Sequence, residues 1–315
     1  MPQSSQVATS KAIHRRTGKT FYVATKFLPR RVRTATYALY GFFRVADEVV
    51  DDAGDASAAA QRERLAEIRE AVLGETRPED PVLAAFHETR REHDIPAAEV
   101  ERFMDAMEQD VSTARYDTLA ELEAYMRGSA VAVANMMTAV MDPEDEAMAL
   151  PHARALGEAF QLTNFLRDVR EDVVDRDRIY LPRETLDRHD ATVSQIEALE
   201  PSPEFRAAMR DLLAHTEERY RHGVAGIKFL PPDCRFPVLL AAVLYADHHR
   251  LIRGLNCDTL SERPTLSTAR KLSLVARTGY HWLRSRDPET VFHRVTAVDP
   301  ATPRTLGAGS FDPMT

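Results

Sequence analysis

Two stretches of the chain carry acidic side chains at the spacing of a single helical face. The first stretch is YALYGFFRVADEVVDD, which carries Tyr40, Arg44, Asp47 and Asp51 at successive intervals of four, three and four residues. The second stretch is QLTNFLRDVREDVVDRDRIYLP, which carries Gln161, Asn164, Asp168 and Asp172 at successive intervals of three, four and four residues. If each stretch is helical, each row lies on one side of its helix over about three turns.

A polar row on an amphipathic helix is ordinarily its solvent face. The first row argues against that interpretation, because the residues around it are strongly apolar and include Leu39, Phe42 and Phe43. Carboxylates in a largely buried helix require a cation or basic partners. Two DxxxD pairs therefore predict two helices that face each other across one cavity and share Mg²⁺ with the phosphates of a diphosphate ligand.

The composition limits the classes of protein that the chain can represent. Its 315 residues are 44% hydrophobic, which suffices for a sizeable core, and its net charge of −8 argues against a nucleic-acid partner. The only cysteines are Cys234 and Cys257, so we expect no disulfide scaffold and no structural zinc site. The first residues lack the apolar core of a secretory signal, and the longest apolar run, 236–246, is shorter than the roughly 20 residues of a membrane span. We expect a cytoplasmic protein.

The rows belong to a chain that is helical throughout and shows no clear domain boundary, so we expect an all-α protein. Residues 1–16 are polar and predict a flexible N-terminus, residues 17–285 the domain, and residues 286–315, rich in Pro, Gly and Thr, a disordered tail. Apolar periodicity, with Gly and Pro as stops, predicts the main helices at 33–50, 57–73, 81–93, 96–112, 118–141, 150–175, 203–228, 235–256 and 265–284.

The helix predicted at 118–141 has two notable features. Thr118 and Glu121 have the spacing of a capping box at its start. Its second half is rich in small residues from Gly128 to Ala134. Small side chains permit close helix packing, and they equally leave room for a long apolar ligand.

At the two acidic rows the chain resembles the trans head-to-head prenyl synthases, the squalene/phytoene synthase family, and most of all its phytoene synthases. RVADEVVDD resembles the first aspartate-rich motif of that family, and QLTNFLRDVREDVVDRDRIYLP the second. With KTFYVATKFLP and RYRHGVAGIKFLP, the similarity extends over roughly residues 17–275. It implies one all-α domain with both motifs at the mouth of a deep cavity.

The resemblance also implies roles for individual residues. The residues expected to hold Mg²⁺, with Mn²⁺ as the alternative, are Asp47, Asp51, Asn164, Asp168 and Asp172. Those expected to contact the substrate diphosphates are Lys19, Thr20, Tyr40, Arg44, Gln161, Arg167 and Arg178. Tyr125 is expected near the reacting carbons and Tyr180 near the leaving diphosphate, so the catalytic group is Tyr125, Arg44 and Tyr180. The aromatic residues considered for the cavity wall are Phe21, Phe42, Phe43 and Tyr125.

The implied reaction joins two geranylgeranyl diphosphates, through prephytoene diphosphate, into phytoene, the first committed step of carotenoid biosynthesis, with no need for NADPH. The alternative within the family is a squalene or dehydrosqualene synthase that uses farnesyl diphosphate. The alternative outside catalysis is an assembly factor of the same fold, which the two intact acidic rows disfavour.

Some features depart from the family pattern or leave questions open. The segment from Ser129 to Ala134 replaces the family's VAGxVG, and Cys257 stands where a tyrosine is usual. Adjacent helical positions point about 100° apart, so we expect His248 and His249 at the surface rather than on one metal ion, and His14 likewise has no catalytic partner. The very apolar product implies peripheral contact with a membrane, although no basic amphipathic helix is apparent that would mark the place. The oligomeric state is not predicted.

Overall fold

A computed structural model describes residues 4–17, 19–51, 54 and 56–299, with side chains described for residues 8–15 and from residue 20 onward. In this part of the chain there is no β-strand, and one isolated bridge joins Arg115 to Ile179. The helices before the second acidic row are α1 Ser4–Thr17, α2 Lys19–Thr25, α3 Arg30–Asp51, α4 Ala58–Leu73, α5 Pro81–Glu92, α6 Ala97–Asp110, α7 Leu119–Met126 and α8 Ala132–Met141. The remaining helices are α9 Glu146–Arg167, α10 Val169–Arg176, α11 Arg183–Asp187, α12 Val193–Glu197, α13 Pro203–Ala225, α14 Pro232–Gly254, α15 Thr268–Ser285 and α16 Pro288–Val295.

Side-chain caps explain where many of these helices begin. Thr118 and Glu121 form the predicted capping box at the start of α7. Asp80 accepts hydrogen bonds from the backbone N–H groups of Val82 and Leu83, and Pro81 occupies the first turn of α5, where its missing N–H is not needed. The prediction of an all-α architecture is confirmed, and most predicted helices agree with the structure to within a few residues at each end.

Helices α3, α8, α9 and α14 surround the centre of the molecule. Helix α13 packs along α9, and α5 supports the outside of α3. The main core runs through all of these helices, and a second apolar cluster around Phe205 and Met209 supports the segment that follows α10. The apolar faces of the helices thus hold the two acidic rows in fixed positions.

Two predicted helices are interrupted. The helix predicted at 118–141 contains a π-helical turn, Arg127–Val131, between α7 and α8. The helix predicted at 150–175 begins earlier, because Asp145 caps it, and breaks at Asp168. The backbone N–H of Asp168 still donates to the carbonyl of Asn164 at 2.9 Å, and that of Asp172 to the carbonyl of Asp168 at 2.9 Å, so the polar row continues across the break.

The structure differs from the sequence-based expectation at both ends. Where we expected a flexible N-terminus, helix α1 packs on α3. Its residues Ser10 and His14, which are four positions apart and so share one face, are both fully buried. Where we expected a disordered tail, Asp287 caps α16 and the side chains of Val291 and Phe292 are fully buried. Of the predicted tail, residues 300–315 lie outside the described residues.

Candidate functional site

A cavity of about 530 Å³ lies between α3, α8, α9 and α14. Both acidic rows line one end of it, and the other end is lined by apolar side chains that include Leu28, Met141 and Leu230. On α9, a rise of 1.5 Å per residue places Ala153 about 16 Å from Asn164, and both residues line the cavity. The cavity is therefore a long space with a polar mouth and an apolar interior.

The first row enters the mouth from the end of α3. Tyr40, Arg44, Asp47 and Asp51 all line the cavity. A guanidinium nitrogen of Arg44 lies 3.7 Å from the Asp47 carboxylate and another lies 3.6 Å from Glu48. Arg44 thus offers a positive charge at the mouth without fully neutralising the acidic row.

The second row enters from the opposite wall, from the end of α9 and the start of α10. Its members Gln161, Asn164, Asp168 and Asp172 line the cavity together with Arg167. The Asp168 carboxylate accepts hydrogen bonds from Arg167 Nε at 2.7 Å and from Arg263 Nε at 2.8 Å. The helix break at Asp168 lets this carboxylate meet both an adjacent guanidinium and one from the loop before α15.

Arginines join the two rows across the mouth. Arg176 lies 3.4 Å from Asp51 of the first row and 3.1 Å from Asp172 of the second. Arg178 Nη1 donates to Asp51 at 3.1 Å, and Arg263 lies 2.6 Å from Glu171. The two acidic rows therefore face each other across the mouth, as predicted, with guanidinium groups between their carboxylates.

The mouth of the cavity carries an excess of negative charge. Burial, followed by repulsion from Asp51, raises the pKa of Asp47 to about 7. Burial, followed by repulsion from Asp168, raises the pKa of Asp172 to about 8. The pKa of Asp168, in contrast, lies below its usual value. Burial alone would raise the pKa of this carboxyl, but its hydrogen bonds and ion pairs with Arg167 and Arg263 outweigh that effect. The mouth has carboxylates that a further cation would stabilise.

A group of tyrosines adjoins the acidic rows. The Tyr125 hydroxyl donates to Asp110 Oδ2 at 2.8 Å, and Tyr180 stacks on Phe165 with ring centroids 4.0 Å apart. Burial raises the pKa of both tyrosines above the usual value, and burial raises that of Asp110 to about 7. Both phenols stay protonated at neutral pH, so they present O–H dipoles rather than negative charge.

The aromatic candidates for the wall divide into two groups. Phe21, Phe43 and Tyr125 line the cavity. Phe42 is fully buried and stacks on Phe86 with ring centroids 4.0 Å apart, so it belongs to the core instead.

Small residues form the wall around the π-helical turn. Ser129, Ala130 and Ala134 line the cavity, and Gly157 of α9 faces them so closely that an added Cβ would lie 3.0 Å from the Ala130 carbonyl oxygen. These small residues serve both purposes considered from the sequence, since they permit close packing of α8 on α9 and they border the cavity.

Fourteen residues were expected to bind or react with substrate or metal, and the two N-terminal ones, Lys19 and Thr20, differ from the rest. The side chain of Lys19 lies outside the described residues. Thr20 is half-buried in α2 and is not among the residues that line the cavity, although its neighbour Phe21 is. The others all line it: Tyr40, Arg44, Asp47, Asp51, Tyr125, Gln161, Asn164, Arg167, Asp168, Asp172, Arg178 and Tyr180.

Several residues at the site were missed from the sequence. Asp110 at the end of α6 binds Tyr125 and, through its backbone carbonyl, Arg178 at 2.9 Å. Arg176 and Arg263 pair with the acidic rows, and Tyr245 of α14 lines the cavity. Arg176 sits four residues after Asp172, which was an available signal, whereas Asp110, Tyr245 and Arg263 come from distant segments that only the fold brings together.

The surface position expected for His248 and His249 is wrong. His248 and His249 are buried in α14, where His249 Nε2 lies 3.0 Å from Thr163 Oγ1 and Nδ1 lies 3.2 Å from Glu217. His14 is also fully buried, and its ring stacks on Tyr40 at 4.0 Å between centroids. Adjacent helical positions can both be buried when a helix such as α14 is covered on several sides.

The mouth suits a hard divalent cation by its donors. All candidate ligands offer carboxylate or amide oxygen, the donors that Mg²⁺ prefers, and the raised pKa values of Asp47 and Asp172 show negative charge that the arginines leave uncompensated. Within the described part of the chain, no three His, Cys, Asp or Glu side chains already converge on one metal-sized site. Binding would therefore require these carboxylates to exchange guanidinium partners for the ion and for substrate oxygens.

Comparison with known proteins gives a consistent result. Residues 14–270 match the family model described as squalene/phytoene synthase. The chain is 32% identical over 292 residues to the 15-cis-phytoene synthase of Paracoccus sp., which covers 90% of this chain and 94% of the relative. It is 33% identical over 271 residues to the phytoene synthase of Rhodobacter capsulatus, which covers 83% of this chain and 77% of the relative.

Solved structures share the fold. A dehydrosqualene synthase crystallised with a ligand superposes with a TM-score of 0.78 at 26% identity, covering 89% of this chain and 97% of that one. A squalene synthase from Alicyclobacillus acidocaldarius superposes with a TM-score of 0.70 at 24% identity, covering 80% of this chain and 94% of that one.

Proposed function

Since the chain belongs to the squalene/phytoene synthase family, we propose that it is a prenyl transferase that condenses two geranylgeranyl diphosphates head to head into phytoene, the first committed step of carotenoid biosynthesis. The observation that carries this proposal is the pair of acidic rows that meet at the mouth of one apolar cavity, with Arg176 bridging Asp51 and Asp172. Relatives of at least 30% identity named phytoene synthase support the choice of the C20 substrate.

The reaction proceeds in two halves. The allylic C–O bond of one substrate breaks, diphosphate leaves with the bonding electrons, and the C2–C3 double bond of the second substrate attacks the cation. Loss of a proton closes the cyclopropane of prephytoene diphosphate. This intermediate loses its own diphosphate, rearranges, and gives up a second proton to form the central double bond of phytoene.

The residues at the mouth favour departure of the diphosphate. Arg44, Arg167 and Arg178 supply guanidinium groups that can bind its oxygens as negative charge develops on them. Asp47, Asp51, Asn164, Asp168 and Asp172 would hold Mg²⁺, with Mn²⁺ as the alternative. The bound ions would supply further positive charge to the diphosphate oxygens.

The interior protects the cations. Side chains such as Phe21, Phe43 and Phe160 line the cavity and exclude water from it. Tyr125 and Tyr180 direct neutral phenolic dipoles toward the same space, because burial keeps both hydroxyls protonated. No residue here is proposed as the final base, and the diphosphate released in the first half can accept the proton.

Product analysis tests this function directly. The purified protein is incubated with Mg²⁺ and either geranylgeranyl or farnesyl diphosphate, each with and without NADPH, and the extracts are analysed by mass spectrometry. We expect a C40 triene from geranylgeranyl diphosphate without NADPH. Turnover of farnesyl diphosphate alone would refute the proposal.

The structural similarity to a dehydrosqualene synthase makes farnesyl diphosphate the second candidate substrate. A C30 product formed without NADPH would assign dehydrosqualene synthesis, and one that requires NADPH would assign squalene synthesis. Absence of any product would favour the non-catalytic assembly factor. Asp47→Ala and Asp168→Ala should each abolish Mg²⁺-dependent turnover and leave the helical circular dichroism spectrum unchanged.

A further inference from the structure

The outward face of α15 is apolar although no other described element covers it. Leu274, Thr278 and Trp282 form the buried face of this helix. On its opposite side, the side chains at i, i+3, i+7, i+11 and i+14 are Ala269, Leu272, Ala276, Tyr280 and Leu283. Leu272 is 66% exposed, Tyr280 50% and Leu283 73%. A helix that is apolar on both faces has a second surface to bury.

Basic residues border this apolar stripe. From Pro264 to Arg286 the chain contains five Lys and Arg residues and no Asp or Glu, within a chain whose net charge is −8. Arg284 lies over the Tyr280 ring at 4.1 Å and Arg286 over the Trp282 ring at 5.6 Å. Neither forms an ion pair with a described residue, so their charges are available to an anionic partner.

The buried face of α15 packs against a helix that forms part of the cavity wall. Trp282 faces Phe236 of α14 with ring centroids 6.1 Å apart, and Phe236 meets Phe27, which is 45% exposed, at 5.6 Å. Leu28 and Pro237, the sequence neighbours of these two phenylalanines, line the cavity from the inside. The nearby Asp233 is paired with Arg31 at 3.0 Å, so it adds little unpaired negative charge. Helix α15 thus packs on the part of α14 that lines the cavity, with its apolar stripe on the far side.

We propose that the membrane-facing surface of the protein is the α15 stripe (Ala269, Leu272, Ala276, Tyr280 and Leu283), and that it rests on an anionic lipid bilayer. An apolar helical face with arginines at its edge is the pattern of an interfacial helix, whose side chains enter the headgroup region while the guanidinium groups bind lipid phosphates. The sequence analysis did not single out α15 as a basic amphipathic helix, and the proposal assigns the contact to it.

This orientation gives the contact a purpose that rests on the proposed function. The mouth, with its carboxylates, lies at the other end of α3 and α9 and stays in water, where diphosphates are soluble. The apolar end of the cavity lies on the α15 side of the molecule, toward the bilayer, where a C40 hydrocarbon is soluble. The phosphate-binding chemistry and the hydrocarbon product are thus kept at opposite ends of one molecule.

Vesicle sedimentation tests the surface without any prenyl substrate, so its result is independent of the proposed function. The protein is mixed at physiological salt with vesicles of phosphatidylcholine alone or with phosphatidylglycerol added. We expect partitioning to the anionic vesicles to be about tenfold stronger than to the neutral ones.

Variants locate the contact. Leu283→Glu should weaken anionic partitioning about tenfold, as should the double variant Arg284→Gln/Arg286→Gln. The matched control is Val174→Glu, because Val174 is also an exposed apolar residue, 58% accessible, but lies on α10 beside the carboxylate mouth. Turnover of detergent-dispersed substrate by Leu283→Glu should equal that of the unmodified protein, which shows that the variant is folded.

Three outcomes would overturn the proposal. These are no preference for anionic vesicles, equal loss of binding in Val174→Glu, or a dimer in light scattering that Leu283→Glu dissociates. The last result would assign the stripe to a second copy of the chain.

Discussion

At the scale of single residues, arginine and carboxylate side chains compensate each other at the mouth of the cavity. Arg176 contacts one carboxylate of each acidic row, and Arg263 contacts Asp168 and Glu171. Yet burial and mutual repulsion leave the pKa values of Asp47 and Asp172 raised. Compensation is therefore incomplete, and the missing positive charge is what a metal–diphosphate complex would add.

Removal of Arg176 should strengthen binding of divalent cations. In Arg176→Gln the carboxylates of Asp51 and Asp172 lose their shared guanidinium, so the affinity for Mn²⁺ should rise about threefold to tenfold. Titration of the substrate-free protein followed by electron paramagnetic resonance measures this affinity. Arg183→Gln is the control, because Arg183 pairs with exposed Asp117 and Asp187. Weaker Mn²⁺ binding in Arg176→Gln would show that this arginine supports the site rather than competing for it.

The raised pKa values also predict how stability depends on pH. An aspartate in the unfolded chain releases its proton near pH 4, whereas Asp47 and Asp172 hold theirs until about pH 7 and 8. The folded state therefore binds more protons over this range, and these groups make the metal-free protein less stable as pH rises.

Thermal unfolding in the presence of a chelator measures that effect. The melting temperature should fall by about 2–4 °C more between pH 6 and pH 8.5 in the unmodified protein than in Asp172→Asn. Saturating Mg²⁺ should remove the difference. If Asp172→Asn shows the same pH profile as the unmodified protein, Asp172 does not titrate in this range.

At the scale of elements, the positions of the helices could be predicted from the sequence far better than the places where a helix is interrupted. The apolar periodicity of α3 and the capping box of α7 are local signals, and both were predicted. The break at Asp168 and the π-helical turn at Arg127–Val131 were not predicted, because each depends on contacts with distant segments. Arg263 holds Asp168 from a loop almost a hundred positions away, and Gly128 packs on the backbone of α6.

The π-helical turn owes its position to Gly128. A Cβ at this position would lie 2.4 Å from the Arg102 carbonyl oxygen and 2.7 Å from the Ala106 Cβ, so Gly128→Ala must displace α6. We expect it to lower the free energy of unfolding by about 1–3 kcal/mol. Gly279→Ala in α15 is the control, since no atom lies within 4 Å of the added Cβ, and it should be neutral or stabilise by up to about 1 kcal/mol. Urea denaturation compares the two variants, and equal stability would show that α6 moves freely.

The site residues, like the helices, could be predicted only where the signal in the sequence is local. The site residues predicted from the two acidic motifs all reach the cavity, whereas Glu171 and Arg176, which lie in the second motif and also line the cavity, were not predicted. Asp110 and Tyr245 were missed, because nothing in their own neighbourhoods distinguishes them from other residues of amphipathic helices. The ion pairs that hold the carboxylates could not be predicted either, since they depend on the distance between helices.

At the scale of the whole molecule, the length of the cavity along α9 should determine which substrate is used. Ala153 lines the cavity about three helical turns from Asn164, so a longer prenyl chain reaches it and a shorter one does not. Within the described residues, no helix is long and apolar enough to cross a bilayer.

Ala153→Phe should therefore discriminate between substrates. We expect kcat/KM for geranylgeranyl diphosphate to fall at least about tenfold more than that for farnesyl diphosphate. Competition between the two substrates, with products separated by mass spectrometry, measures the ratio. Asp47→Ala serves as the contrasting variant, because it should depress both activities equally. An equal loss in Ala153→Phe would mean that neither chain extends to this depth.

The wall of Ser129, Ala130, Ala134 and Gly157 has an evolutionary consequence. Three of these four residues are already the smallest that a helix can carry, and Gly157 cannot be enlarged without meeting the Ala130 carbonyl. Natural selection for a bulkier or longer substrate thus has almost no room left on this side of the cavity. Future substrate ranges in this lineage would have to arise nearer the apolar end of the cavity, where Leu28, Met137, Met141 and Leu230 can still be shortened one substitution at a time.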